Sequence, residues 1–201
     1  MLQRRTYPKM LILVVVATIL LAALAALVVD GANRSRSRIP VLGRVPQFEF
    51  TAHDGLPFGR EQMMGRLSVV DFIFTSCPGV CPIMASKMSG LYRLYAGSNK
   101  VQFVSISVDP ERDSIAALQA YAHNQGVTDC RWLFLRAPLE QVVSLSENGF
   151  MLAADDLPGG HATAFVLVDH LARIRSYHDG LNDADSTALK GHIRQLAREL
   201  P

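Results

Sequence analysis

Two cysteines and one histidine are the residues best suited by type and spacing to do chemistry. Cys77 and Cys81 enclose Pro78-Gly79-Val80 and are followed by Pro82. A four-residue step is close to one helical turn, so a helix starting here sets both sulfurs on one side. Two converging thiols either close into a disulfide or bind a soft metal ion as thiolates. A helix N-terminus lowers thiol pKa and favours both outcomes. A thiolate pair needs at least one more ligand to hold a metal. The available donors are Cys130, the methionines and six histidines. Among the histidines His161 stands apart. It follows Pro158-Gly159-Gly160, a flexible loop, and precedes an apolar strand.

The remaining donors read as structural. Met84 and Met88 continue the helical stripe of the cysteines, the pattern of a buried face. Cys130 precedes Trp132 in an apolar stretch and reads as a small core residue. His170 and His178, near a closing hairpin, read as solvent-facing. His53 and His192 read as surface positions, and His123 as the exposed side of a helix. Asp109 ends a strand before Pro110 and reads as a cap or turn residue.

The elements that must position these residues follow from periodicity. Phe48-Glu49-Phe50 and Leu56-Pro57-Phe58 flank Asp54-Gly55, a hairpin signal. Residues 67–74, 101–108 and 132–135 are apolar and β-branched or aromatic at strand length. Residues 82–95 have helical spacing, and Ser114 caps a second helix through Ile115, Leu118 and Tyr121. Residues 139–148 form a helix that Gly149 ends. Residues 164–168 and 172–177 make a closing hairpin, and 185–200 a last helix with Leu189, Ile193, Leu196 and Leu200 on its apolar face. Strands alternating with helices predict an α/β domain with a mainly parallel central sheet, helices on both faces and added β-hairpins. The cysteines then fall where a buried strand gives way to a helix, the end of such sheets where sites collect.

Residues 10–29 carry no charge over 20 positions, about 30 Å of helix, which matches a bilayer core. This predicts a transmembrane anchor at 10–29, with residues 1–9 as a cytoplasmic tail, 30–44 as a Ser/Arg-rich tether and 45–201 as the folded domain. A cleaved signal is the alternative, since Ala23-Leu24-Ala25 has the small-x-small pattern of a cleavage site. Basic residues flank the run on both sides, and a short acid-free tail stays inside easily, so the domain is expected outside. The formal net charge is +2, but residues 1–44 hold seven Lys/Arg and one acid, and residues 45–201 thirteen Lys/Arg and seventeen acids. The folded domain is therefore mildly acidic and has no basic stripe for nucleic acid. Three cysteines are too few for a disulfide-stapled mini-protein.

Taken together, three segments resemble the Sco/SenC family. The first runs from Phe72-Ile73-Phe74-Thr75-Ser76 through Cys77-Pro78-Gly79-Val80-Cys81-Pro82. The second is Val104-Ser105-Ile106-Ser107-Val108-Asp109-Pro110-Glu111-Arg112-Asp113. The third is His161 with the strand Phe165-Val166-Leu167-Val168-Asp169, then Asp179-Gly180. Their order and spacing agree over roughly residues 45–200. The resemblance implies a membrane-anchored thioredoxin-like domain with a copper site made by Cys77, Cys81 and His161. It also implies delivery of copper to the binuclear centre of cytochrome c oxidase subunit II, or reduction of that centre's cysteines, outside a bacterial cytoplasmic membrane. Two thiolates suit Cu(I), and an added imidazole lets the site hold Cu(II) as well. Two departures are visible. Many relatives carry an acid where this chain has Gly79, which removes a negative charge beside the thiols. The turn after Asp169 is His170-Leu171-Ala172 rather than Pro-x-Gly.

Four functions compete at this point. A copper metallochaperone requires His161 beside the cysteine pair. A thiol–disulfide oxidoreductase would use Cys77 and Cys81 as a redox pair, but its thioredoxin-like relatives carry CxxC and a Pro just before the facing strand. No Pro immediately precedes Ala164. A peroxide-reducing enzyme would use one cysteine with a nearby Thr and Arg, and Thr75 is close, but Cys81 and the His161 segment fit it poorly. A copper or redox sensor needs the same ligands as the chaperone.

Overall fold

The computed structural model describes residues 7–36, 39–154 and 157–200. It divides between Ile39 and Pro40 into two compact units. The first holds one helix, α1 (Tyr7–Arg36), in which the window Met10–Leu27 has a mean hydropathy of 3.0. By length and composition that window suffices to cross a membrane, a property it shares with a signal sequence.

The second unit is an eight-stranded mixed sheet. Its strands are β1 (Gly43–Arg44), β2 (Glu49–Ala52), β3 (Pro57–Gly59), β4 (Leu67–Ile73), β5 (Val101–Ser107), β6 (Trp132–Arg136), β7 (Ala164–Val168) and β8 (Arg173–Asp179). Their order is β1-β8-β7-β4-β5-β6-β2-β3. The centre β4-β5-β6 is parallel, with Leu67 opposite Val101 and Phe103 opposite Trp132. Both flanks are antiparallel: β2 on β6, β7 on β4 and β8 on β7. The parallel character expected from sequence is thus confined to the centre, because both hairpins pair onto it in the opposite sense. Gly43 and Arg44, in the segment read as a tether, pair with Ile174 and Arg173.

The helices are α2 (Arg60–Met63), α3 (Cys81–Leu94), α4 (Ile115–Asn124), α5 (Leu139–Ser144), continued by a π-helical turn Leu145–Gly149, and α6 (Asp183–Ala197). Ser114 caps α4 by accepting from the Ala117 N–H at 3.2 Å, as its sequence position predicted. Asn182 caps α6 in the same way through Ala184. Side chains alternate across the pleat. Val70, Phe72, Val104, Ile106, Leu133, Leu135, Val166 and Val168 join one buried cluster with Phe50, Phe58, Met63, Val142 and Phe150. The alternate set on β4, β5 and β6 includes Asp71, Ser105 and Trp132, which hydrogen-bond one another through Ser105. Met84 and Met88 are fully buried, as the helical stripe predicted.

Three expectations are corrected here. Cys130 is exposed, because it sits in the turn before β6 rather than in the strand. His178 is buried, because α6 crosses β8 and sets His192 against it, with ring centroids 5.1 Å apart. His192 is consequently only partly exposed, and its Nδ1 lies 3.3 Å from Ser176 Oγ.

Candidate metal centre

Cys77 and Cys81 lie at the C-terminal end of the parallel strands. β4 ends at Ile73, and the chain turns through Phe74-Thr75-Ser76, with the Cys77 N–H donating to the Phe74 carbonyl at 3.3 Å. α3 opens at Cys81, and Pro82 in its first turn lacks only an N–H that would have had no helical partner. Cys77 is half-buried in the loop and Cys81 is buried.

The turn is fixed from the neighbouring loop by Asp113. This fully buried carboxylate accepts from the Thr75 hydroxyl at 2.5 Å, from the Thr75 N–H, and from the Ser107 hydroxyl at 2.6 Å. Asp109 makes the turn before it. Its carbonyl accepts from the Arg112 and Asp113 N–H groups, and its carboxylate pairs with Arg112 at 2.9 Å. That is the turn role read from sequence. Asp113 was part of a quoted segment, but nothing in its spacing disclosed its role.

His161 arrives on the loop before β7, the strand that flanks β4 opposite β5. It is buried, and its ring meets the Phe74 ring edge-on at 5.6 Å. Its Nδ1 lies 3.3 Å from the Ala162 carbonyl, which only accepts, so Nδ1 carries the proton. Nε2 is left with its lone pair towards Cys81 Sγ, 3.5 Å away. The strand that follows is held by a 2.7 Å bond from the Gly180 N–H to the Thr163 carbonyl. A Cβ on Gly180 would lie 2.9 Å from Met84 Cε and 3.1 Å from that carbonyl, so a larger residue here would make Met84 shift where β7, β8 and α3 meet.

The three groups differ in protonation. At Cys77 burial opposes ionisation, but hydrogen bonds from the Cys81 thiol and the N–H groups of Cys81, Gly79 and Val80 outweigh it and hold the thiol below its ordinary pKa. Burial pushes the Cys81 thiol up to about 12, with the charges of Cys77 and Asp71 adding to the effect. Burial lowers His161 and keeps its imidazole neutral, against the pull of the Ala162 carbonyl. Below them on β4, burial raises Asp71 to about 7. Its Oδ1 accepts from Ser105 at 2.6 Å, while its buried Oδ2 has no partner. A charged residue inside the apolar run 67–74 is the sequence signal that marks Asp71.

The donor set fits a soft first-row metal ion. Bonds of about 2.3 Å to sulfur and 2.0 Å to nitrogen at a tetrahedral angle put the two donors about 3.5 Å apart, the separation of Cys81 Sγ and His161 Nε2. Among the described residues, no three His, Cys, Asp or Glu side chains converge tightly enough to form a closed cage. His170 and His123 stay outside the site, His123 exposed and His170 half-exposed on the β7–β8 turn.

Comparison with known proteins covers nearly all of the second unit. The SCO1/SenC family model matches residues 42–197. A SCO1 protein homolog of Bacillus subtilis (strain 168) is 32% identical over 170 residues, covering 82% of this chain and 88% of the relative. A putative copper-binding protein of Stutzerimonas stutzeri is 32% identical over 152 residues, 75% of this chain and 69% of that protein. Among solved structures, BsSco, a member of the Sco family of cytochrome c oxidase assembly proteins in which a disulfide switch was identified, superposes with a TM-score of 0.71 at 26% identity. The match spans 80% of this chain and 98% of that one.

Proposed function

This chain belongs to the SCO1/SenC family, and from that premise we propose that it is a metallochaperone whose cargo is one copper ion held by Cys77, Cys81 and His161. The observation that carries the reading is the 3.5 Å approach of Cys81 Sγ to His161 Nε2 at the open end of the sheet. Cys81 and His161 already stand at ligand spacing, and the half-buried Cys77 completes the set by turning inward. Thiolates hold Cu(I), the imidazole extends the site to Cu(II), and the burial of two donors excludes competing water. Cys77, the outermost donor, is the group an acceptor thiol would replace first. Copper then passes by ligand exchange to the binuclear centre of cytochrome c oxidase subunit II. The apolar helix serves as an uncleaved, single-pass anchor in a bacterial cytoplasmic membrane, with the domain on the outer side. Transfer is tested by mixing copper-loaded protein with the reduced copper-free soluble domain of subunit II. The binuclear absorption should appear with wild type and fail with Cys77→Ser. Equal transfer by both would refute the reading.

A second reading is favoured by the order of the thiols. A more acidic, accessible Cys77 stands before a buried Cys81, which is the arrangement of an attacking and a resolving cysteine. The Cys77 thiolate would attack a partner disulfide, forming a mixed disulfide and releasing one partner thiolate. Cys81 would then attack the Cys77 sulfur, passing its proton towards His161 Nε2, breaking the mixed disulfide and releasing the second partner thiolate. The partner gains two electrons and this chain ends as the Cys77–Cys81 disulfide.

A further inference from the structure

The end of the sheet remote from the cysteines collects charge and apolar surface of a particular kind. At this pole β4, β5 and β6 begin, β7 ends and β8 starts. The chain enters here from the segment joining it to α1: the Leu42 N–H donates to Ile174 and the Val45 N–H to Ala172. The Gly65 N–H bonds the His170 carbonyl and the Leu67 N–H the Lys100 carbonyl, which draws the loops before β4 and β5 and the β7–β8 turn together. α3 and α6 start at the cysteine end and run down to this one. A shallow hollow of about 300 Å³ between these loops and the end of α6 is lined by Met64, Arg66, Lys100 and Leu200 among others.

Arg44, Arg66, Lys100 and Arg198 all belong to this pole, and among the described residues none of them is in an ion pair. Of the carboxylates nearby, Asp129 is used by Arg131, Asp169 by Arg173 and Arg175, and Glu199 by Arg175, while exposed Glu61 and Asp54 line a second hollow with Met64 and Arg66 and offset part of the cationic charge there. Asp54 lies on the β2–β3 turn, at the sheet edge opposite β1. Large apolar side chains are exposed between the free cations. Val41 is 52% exposed, Leu42 46%, Met64 44%, Leu94 57% and Leu171 39%. The cysteine pole leans the other way: Glu111, Glu140 and Asp179 are exposed there outside any ion pair among the described residues, while Asp183 is paired with Lys87 and Arg112 with Asp109. The domain is acidic as a whole, so the basic pole is a segregation of charge rather than a surplus.

Unpaired cations interleaved with exposed aliphatic side chains form a surface suited to an anionic lipid interface. We propose that this pole binds the anionic phospholipid headgroups of the membrane, which orients the domain with Cys77, Cys81 and His161 facing away from the lipid. The inference rests on the membrane-anchor part of the proposed function. The charge gradient supplies the sign: an anionic surface attracts one pole and repels the other. The tether supplies the place, because it leaves the domain at the attracted pole.

The test uses residues 40–201, the compact unit that carries all eight strands and their buried core, with sedimentable vesicles of phosphatidylcholine alone or mixed with phosphatidylglycerol. The domain should bind the anionic vesicles, release with rising salt and ignore the zwitterionic ones. Arg66→Ser/Lys100→Ser/Arg198→Ser should weaken partition on the order of a hundredfold. Met64→Ser/Leu171→Ser should weaken it while leaving the salt dependence in place. Equal binding to both vesicle types, or undiminished binding by the triple variant, overturns the proposal. Saturable binding of inorganic phosphate without vesicle binding also overturns it, in favour of a small-anion site. Alkaline extraction of the full chain tests the anchor separately. A chain that resists extraction while its domain ignores anionic vesicles refutes this inference alone.

Discussion

Cys81 Sγ and His161 Nε2, 80 residues apart in sequence, stand 3.5 Å apart at the mouth of the sheet. Neither residue alone would mark a site. A buried thiol is ordinarily core, and a loop histidine is ordinarily solvated. Their convergence beside a second, more acidic thiol is what supports the proposed ligand set.

The two thiols should react in a fixed order. Cys77 is more accessible and held below its ordinary pKa, whereas burial raises Cys81 to about 12. Alkylation of the reduced protein, followed by peptide mass spectrometry, should label Cys77 first and at lower pH. Cys81→Ala should shift the Cys77 rate profile to higher pH, because the side-chain donor to Cys77 is removed. Labelling of Cys81 at the same rate as Cys77 would contradict the geometry.

Asp113→Ala should destabilise the domain by about 2–4 kcal/mol, measured by denaturant unfolding. The change leaves the Thr75 N–H, the Thr75 hydroxyl and the Ser107 hydroxyl without their buried acceptor. The cysteine turn should loosen with it, so amide exchange at Thr75 and Cys77 should speed up more than exchange in α6.

Asp71 should make stability depend on pH. A carboxyl whose folded pKa lies above its unfolded value holds its proton more tightly in the folded chain. Its cost is absent below about pH 4, grows as pH rises towards about 7, and is fully present above that. Three units amount to roughly 4 kcal/mol as an upper bound. Wild type should lose stability between about pH 4 and pH 8, and Asp71→Asn should flatten that slope. Parallel profiles for the two proteins would show that Asp71 does not titrate in this way.

Gly180→Ala should cost about 1–3 kcal/mol by thermal or denaturant unfolding. The new methyl group meets Met84 and the Thr163 carbonyl. Combined with Met84→Ala it should cost less than the sum of the two single losses, since the methionine is the group that must yield.

The fold was largely legible because apolar period and turn residues agree along the chain. The run 67–74 reads as a strand and is one to Ile73, and Ser114 reads as a cap and is one. The cysteine pair was legible from a four-residue spacing at a strand-to-helix junction. His161 was legible only through order and spacing relative to other segments, because nothing local distinguishes it from a solvated loop histidine. Cys130 misled because its neighbour Trp132 is core, while the turn between them carries the thiol outward. His178 misled because the hairpin reads as an edge until α6 is seen to cover it. Asp113 and Gly180 act through contacts with distant chain, which no local pattern reports.

The most direct test of the copper site is anaerobic titration of the reduced domain with Cu(I) and Cu(II), run in parallel on His161→Ala. Wild type should bind one equivalent of either ion tightly and show a thiolate-to-Cu(II) absorption band. The variant should change that band and lose at least about tenfold more affinity for Cu(II) than for Cu(I). No tight copper in the wild type, with a freely cycling Cys77–Cys81 disulfide, would contradict the metallochaperone account.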